Sequence, residues 1–216
     1  LSAKDLGPEI PRIPFRIAAF KEATPFQQPV IAKDKVRYVG EPVAVVIAES
    51  QAIAEDASEL IQIEIDELPP IASSRDSVRG DALMLEELSS NIAFQYNIDR
   101  GNVADVFSGA FYKRRETFYV QRHTAVPMEM RGLVADWDES NCRMSVWGAA
   151  KVPFFNRHVL AEMLGLPDNR VDLIELDVGG GFGVRGEFYP EDFLIPFAAR
   201  HLQKPVKWAE DRREHL

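Results

Sequence analysis

The chain has a single cysteine, Cys142, in the polar stretch Asn141-Cys142-Arg143. One thiol can form no internal disulfide and cannot ligate an iron–sulfur cluster. Any iron–sulfur centre that works with this protein therefore belongs to other chains, and Cys142 itself is given no role. Long apolar runs are also missing. None approaches the roughly 18 residues needed to span a bilayer, and no signal-peptide pattern opens the sequence. Basic clusters are missing too: the formal net charge is −9, with acidic residues scattered along the chain. That excludes the Lys/Arg face a nucleic-acid surface requires. The low thiol content fits a reducing, cytoplasmic compartment. The sequence starts at Leu1 and stops at Arg213-Glu214-His215-Leu216 without a breaker. Both ends are expected to be cuts in a longer chain.

What is present is an ordinary globular composition, 46% apolar and 27% charged over 216 residues, enough for one large domain or two small ones. Val43-Ala44-Val45-Val46-Ile47-Ala48 is a continuous apolar run, expected as a strand covered on both faces. Ser50 is placed to cap a helix whose apolar face is Ile53, Ala57, Leu60 and Ile61. Ile61, Ile63 and Ile65 then alternate with polar residues, the period of a half-buried strand, which Pro69-Pro70 ends. Ile13-Pro14-Phe15-Arg16-Ile17 adds a candidate edge strand. Residues 71–101, including Ser73-Ser74-Arg75-Asp76-Ser77, read as a linker. A short helix capped by Asn102 follows.

Beyond it, Phe111 to Gln121 reads as a long strand. Leu133-Val134-Ala135-Asp136-Trp137 and Met144-Ser145-Val146-Trp147 predict a hairpin around residues 138–141. A helix opens at Pro153 and closes at Gly165. Residues 171–178 predict a strand, residues 189–202 a helix containing Pro196, and Pro205-Val206-Lys207-Trp208 a last strand. There is no internal repeat.

The strand over residues 171–178 leads into Gly179-Gly180-Gly181-Phe182-Gly183. Gly181, Gly183 and Gly186 form a literal GxGxxG after a strand and before a helix, with Glu210 and Asp211 near the position of a ribose-binding acid. A nicotinamide-dependent dehydrogenase is one reading. Against it, the dinucleotide helix starts within its glycines, which here would put Pro190 and Pro196 inside that helix at about 3 kcal/mol each. The helix is expected to start near Pro190 instead. Glycines at this position serve another use: they let the backbone approach a ligand closely and turn successive N–H groups toward an anionic oxygen. A plain strand-to-helix loop also fits the glycine count.

Asp177-Val178-Gly179-Gly180-Gly181-Phe182-Gly183, Tyr189-Pro190-Glu191 and Pro205-Val206-Lys207-Trp208-Ala209-Glu210-Asp211-Arg212 resemble the molybdenum-binding large subunit of the xanthine dehydrogenase/aldehyde oxidase family, which includes aerobic carbon monoxide dehydrogenase. Gln121-Arg122-His123 through Pro127-Met128-Glu129-Met130-Arg131-Gly132 resembles the preceding block. Val39-Gly40-Glu41-Pro42-Val43-Ala44-Val45-Val46 resembles the hammerhead domain. The blocks occur in family order across nearly the whole chain. The resemblance implies an α+β fold: a hammerhead-type α/β domain over residues 1–85, then the first part of a molybdopterin-binding α+β domain over residues 100–216. It implies oxidative hydroxylation of an aldehyde, N-heterocycle or similar small substrate, with water as the oxygen source. Molybdopterin, in its cytosine dinucleotide form, would carry the molybdenum. The [2Fe-2S] clusters and FAD would sit on partner chains, in a dimer of heterotrimers. Gly180, Gly181, Phe182 and Gly183 would border the cofactor, with Phe182, Arg185 and Glu187 toward the substrate channel and no residue ligating the metal directly. The catalytic glutamate would lie beyond Leu216, so this chain alone is expected to be inactive. A non-catalytic scaffold module keeps the same blocks and is the third reading.

Two positions depart from the family pattern. Where many members place a glutamine before a Val-Pro pair, with its amide near a molybdenum oxo ligand, this chain has Lys151 before Val152-Pro153. A lysine keeps a donor and adds charge but loses the amide acceptor. It can equally be a solvated residue before a helix. Gly183-Val184-Arg185-Gly186 stands where a Gly-Lys pair is commoner. Elsewhere, His123 and Glu129 are expected to form a buried hydrogen-bonded pair that braces a loop. Glu187 is read both as a channel residue and as a solvated loop glutamate. His158, His201 and His215 are given no special role.

Overall fold

A computed structural model describes residues 1–16, 20–148 and 152–215. In chain order the helices are α1 (Ala3–Leu6), α2 (Gln51–Glu59), α3 (Ser74–Arg79), α4 (Val103–Gly109), α5 (Pro153–Leu164), α6 (Pro190–Leu202) and α7 (Arg212–His215). The strands are β1 (Gly132–Asp138), β2 (Arg143–Gly148), β3 (Val171–Glu175) and β4 (Val206–Ala209). They form one mixed sheet in the order β3-β2-β1-β4, giving an α+β fold.

The sheet follows from the patterning of its strands. Leu133 and Ala135 alternate with more exposed residues on β1, as Met144 and Val146 do on β2, so both strands bury one face. The antiparallel register sets Ala135 against Val146 and Trp137 against Met144. β4 adds antiparallel to the other edge of β1, and β3 adds parallel to β2. A parallel neighbour needs a crossover, and α5 supplies it between β2 and β3. Pro153 begins α5. Gly165, left-handed at φ 66, ends it, with the Leu166 N–H reaching Ala161 O at 2.8 Å. α6 packs on β1 and β4 and touches α5. Val159, Leu160, Leu164, Phe193, Leu194 and Ile195 join the sheet's buried face in one core. The N-terminal region docks on that core: Val30 and Ile31 are fully buried, and Leu1, Leu6, Ile13, Val45 and Ile47 pack against it.

Several expectations are met. Ser50 accepts from the Ile53 N–H to cap α2, and Asn102 accepts from Asp105 to cap α4. The hairpin forms at the expected residues. α6 starts at Pro190, with Pro196 its seventh residue.

Others need correction. Residues 43–48 and 61–65 surround a genuine helix but join no ladder among the described residues. Val45 exchanges two backbone bonds with Leu1, at 2.7 and 2.8 Å, while Ile63 and Ile65 are exposed. Residues 111–121 likewise form no strand, and Phe111, Phe118 and Tyr119 stand in solvent. The expected edge strand reduces to an isolated bridge between Arg12 and Pro29, and Ile17 lies outside the described residues. Alternation and β-branching define a surface that suits a sheet, but a strand exists only when a neighbour takes its N–H and C=O groups. In the opposite direction, residues 73–77 are not loop. Ser73 caps α3, accepting from Asp76 N–H at 3.1 Å. β3 ends at Glu175, three residues earlier than expected.

Candidate functional site

β2, β3 and β4 run parallel to one another, so their C-terminal ends share one end of the sheet with the start of β1. Carboxyl ends of parallel strands are where ligands settle in sheet proteins, because the connecting loops converge there. Here they bring together the glycine loop after β3, Glu210 after β4, and Arg131 before β1. Two glycines let the strands close up at this end. A Cβ on Gly148 would lie 2.7 Å from Gly132 O, and one on Gly132 would lie 3.3 Å from Trp208 O.

The glycine loop rests on the segment carrying Pro127, Glu129 and Arg131. The Glu129 carboxylate accepts the Gly179 N–H at 2.6 Å, and the Glu129 N–H donates to Gly179 O at 3.3 Å. The backbones lie so close that a Cβ on Gly179 would be 2.6 Å from Glu129 Cβ. One on Gly180 would be 3.0 Å from Pro127 Cβ. The loop then turns through left-handed conformations at Gly180 (φ 114), Phe182 (φ 47) and Gly183 (φ 97). Phe182 sits at the apex with 77% of its surface exposed. No atom lies within 4 Å of a Cβ built on Gly183, so that stretch of backbone faces open space. Among the described residues, no acceptor takes the N–H groups of Gly180, Gly181, Phe182 or Gly183. An open glycine backbone with several uncommitted N–H donors fits an anionic, oxygen-rich cofactor.

The other expected site residues divide. Glu187, 48% exposed at its side chain, pairs with Arg16 at 2.6 Å, so it is neither free nor simply solvated. Arg185 does not project from the loop. Its side chain is fully buried and donates to the carbonyls of Glu129 and Met130. Its Nε and Nη1 have no hydrogen-bond partner among the described residues. Lys151 lies outside the described residues. The expected His123–Glu129 pair does not form: His123 is exposed and faces Gln121 O, while Glu129 is committed to Gly179 and Arg185. The exposed His158 approaches Asp168 at 3.1 Å. Among the described residues no three His, Cys, Asp or Glu side chains gather to hold a metal. Among the described residues no helix is long and apolar enough to cross a membrane.

Below the loop is a polar node that sequence reading missed. The guanidinium of Arg131 lies 4.0 Å from the centre of the Tyr189 ring and 5.3 Å from that of Trp208. It pairs with Glu210 at 2.8 Å and Glu191 at 3.3 Å, and the Arg131 N–H donates to Glu210 at 3.0 Å. Burial opposes ionisation of Glu210, but the Arg131 backbone and side chain outweigh it and hold the carboxyl below its ordinary value. Burial acts the other way on Asp192, pushing it up to about 6 despite the Tyr189 N–H and the charge of Arg131. A cavity of about 20 Å³ between Arg131, Arg185, Glu187, Tyr189 and Asp192 has room for about one water. In the sequence this node shows only through Glu210, whose position suits a ribose acid as well. Its partner is 79 residues away along the chain, and no local period reports such a pair.

The same geometry removes the dinucleotide reading. α6 begins at Pro190, past Gly181, Gly183 and Gly186, so its N-terminus does not form on the glycines. The strand after α6 lies at the far edge of the sheet, not beside β3. Glu210, only 2% exposed, is occupied by Arg131.

Comparison with known proteins gives the alternative. Residues 84–216 match the molybdopterin cofactor-binding domain model, and residues 7–69 match the aldehyde oxidase and xanthine dehydrogenase a/b hammerhead domain model. The chain is 39% identical over 188 residues to the nicotine 6-hydroxylase large subunit of Paenarthrobacter nicotinovorans, covering 87% of this chain and 23% of that protein. It is 31% identical to the carbon monoxide dehydrogenase large chain of Hydrogenophaga pseudoflava, covering 87% of this chain and 25% of that one. Quinoline 2-oxidoreductase from Pseudomonas putida 86 superposes with a TM-score of 0.82 at 37% identity, over 88% of this chain and 24% of that one. The chain thus spans about a quarter of the length of these relatives. With a cofactor-domain match over more than half its length and a hammerhead match before it, the chain belongs to the molybdopterin-binding large subunits of the xanthine dehydrogenase and aldehyde oxidase family.

Proposed function

We propose that this chain provides one wall of the active site of a molybdenum hydroxylase, acting on an electron-poor N-heteroaromatic ring with water as the oxygen source. The observation that supports it is the loop at residues 179–183: uncommitted N–H groups, open space at Gly183, and an exposed ring at Phe182. Gly180, Gly181 and Gly183 are the backbone that approaches the cofactor. Phe182 offers a flat apolar face to a planar substrate. Glu187, held by Arg16, borders the channel. Arg185 braces the loop from beneath.

When bound, the molybdenum–pterin group supplies a two-electron redox centre at which oxygen from water is transferred to a substrate carbon. The chain's own residues orient, exclude and donate; the proton-abstracting carboxylate belongs to another part of the large subunit. Residues 1–85 make up the hammerhead domain and residues 100–216 the start of the cofactor domain. The cofactor is assigned as the cytosine dinucleotide form. [2Fe-2S] clusters and FAD on partner chains take the electrons, within a cytoplasmic dimer of heterotrimers. Preference for an N-heterocycle over an aldehyde or carbon monoxide rests on the relatives named for nicotine and quinoline, at 39% and 37% identity, against 31% for the carbon monoxide enzyme. Lys151 stands in the sequence where many family members have a cofactor-contacting glutamine, and Lys151→Gln in the holoenzyme is expected to change the pH dependence or the rate of hydroxylation.

The test is expression of the full-length large subunit with its partner chains. Bound molybdenum, and ¹⁸O from labelled water in a hydroxylated nicotine- or quinoline-type product, are the expected results. A molybdenum-free complex, or tight NADH binding by this chain, would overturn the reading.

A further inference from the structure

Phe182 presents a conflict. A large aromatic residue is left-handed, a conformation that disfavours side chains, and it exposes most of its ring. Such a geometry persists only where the surroundings over-determine it, and it concentrates at functional sites. The contacts that hold it are at the two ends of the loop. At the entry, Gly179 is gripped by both the carboxylate and the backbone of Glu129. At the exit, the buried Arg185 reaches back to the same segment. Its Nη2 donates to Glu129 O and Met130 O and lies 3.2 Å from the Glu129 carboxylate. One carboxylate therefore serves both ends of a seven-residue excursion.

Resting on the cofactor-loop reading above, we propose that Glu129 and Arg185 act together as a two-ended clamp that positions the 180–183 loop, setting the distance between its N–H groups and the cofactor and the aim of Phe182 at the substrate. Neither residue touches substrate; both are positioning residues. Reach explains the choice of arginine. All three contacts are made by Nη2 at the far end of the side chain, one bond beyond the reach of a lysine ammonium, which has donors enough but a shorter stem. The ordering is reciprocal: without Glu129, Arg185 would be a buried cation with only carbonyls for company.

The experiment uses the assembled holoenzyme with Glu129→Ala, Glu129→Gln, Arg185→Met and Arg185→Lys. The readouts are molybdenum per subunit, the Mo(V) EPR spectrum, and kcat and KM per molybdenum. Removing an outer partner of a metal site typically costs roughly 10–100-fold in activity or affinity. Glu129→Ala and Arg185→Met should therefore lower turnover per molybdenum by about that factor and change the EPR line shape. Glu129→Gln keeps an acceptor for the Gly179 N–H but leaves Arg185 without its counter-charge, and should recover only part of the loss. Arg185→Lys keeps the charge but loses the reach of Nη2 to the Glu129 segment, and should fall between. A merely structural pair would lower molybdenum content and leave the spectrum and the activity per molybdenum unchanged, which would overturn the clamp. If the Ala and Met variants do not assemble, Arg185→Lys decides: an unaltered spectrum and turnover reject the proposal. Gly183→Ala separates the two readings. If it leaves molybdenum content and spectrum untouched, the loop does not border the cofactor, and the underlying reading falls. If it perturbs them while the clamp variants do not, only the clamp falls.

Discussion

The end of the sheet where β2, β3 and β4 finish, and the stretch of chain over residues 61–121, use side chains in opposite ways. At the sheet end, buried cations meet carboxylates: Arg131 with Glu210 and Glu191, Arg185 with Glu129. Over 61–121, apolar groups are exposed and unmatched: Ile63, Ile65, Phe111, Phe118 and Tyr119 all stand largely in solvent. A buried charge must be paired to be tolerated, whereas an exposed apolar residue away from a large patch costs little. The difference teaches where rigidity lies. The site end is fixed by polar contacts that tolerate little change, whereas the 61–121 stretch is held sparsely, through Leu85, the Asn91 hydrogen bonds, the Lys35–Glu86 pair and the stacking of Phe94 on Phe20 and Tyr96.

The comparison is tested most severely at its polar extreme. Glu210→Ala leaves Arg131 buried with only Glu191 and two rings, and should cost about 3–5 kcal/mol in urea unfolding. A loss under about 1 kcal/mol would show that the node is not what fixes the sheet end. Leu160→Ala, in a position 1% exposed beneath the sheet, should cost about 2–5 kcal/mol through the cavity it leaves. Gly148→Ala ranks below it. Its Cβ would meet Gly132 O at 2.7 Å, and relieving that contact should cost about 1–3 kcal/mol. An unchanged midpoint would mean that the two strands part without penalty.

The two regions also explain what sequence could disclose. The hairpin, α5 and β4 were legible because each declares itself locally, by alternation, by Pro153 and Gly165, or by a short apolar run, and each finds its neighbour within this chain. The glycine loop was legible as a bare turn because four glycines around Phe182 leave the backbone free to turn left-handed. Residues 43–48, 61–65 and 111–121 carry patterns as strong, yet no ladder forms, since pairing depends on a partner the local pattern does not specify. α3 was missed because Ser73-Ser74-Arg75-Asp76 has loop composition, although Ser73 with Asp76 is a capping arrangement. Arg131–Glu210 and Glu129–Gly179 were not legible as pairs. They join residues 79 and 50 positions apart, and side-chain chemistry alone offered Glu129 a more obvious partner in His123.

pH distinguishes two carboxylates of the site end by sign. Glu210 is held below its ordinary value, so its contribution is present above the carboxylate range and lost as pH falls through its folded pKa. Asp192 behaves oppositely. Its folded carboxyl is raised from 3.8 to about 6, so the folded state binds the extra proton. Its contribution is complete below pH 3.8 and disappears as pH rises through about 6. Asp192→Asn retains an acceptor for the Tyr189 N–H and cannot titrate. Between about pH 4 and 6 the wild type should therefore lose stability relative to the variant as pH rises; parallel curves for the two proteins would rule out Asp192 as the source.

The smallest expected effect lies at the apolar extreme, and a null result there is informative. Ile63 is 53% exposed and has no ladder partner among the described residues. Ile63→Ser should change the stability of this chain by no more than about 0.5 kcal/mol, the usual range for surface sites. Amide exchange makes the same statement without mutation. The N–H groups of residues 62–68 and 111–121 should exchange orders of magnitude faster than those of β1, β2 and α5, because local opening of an unpaired segment costs almost nothing. A costly Ile63→Ser, or slow exchange across 62–68, would mean that this stretch pairs in solution, and the contrast between the two regions would then be one of partner choice rather than of rigidity.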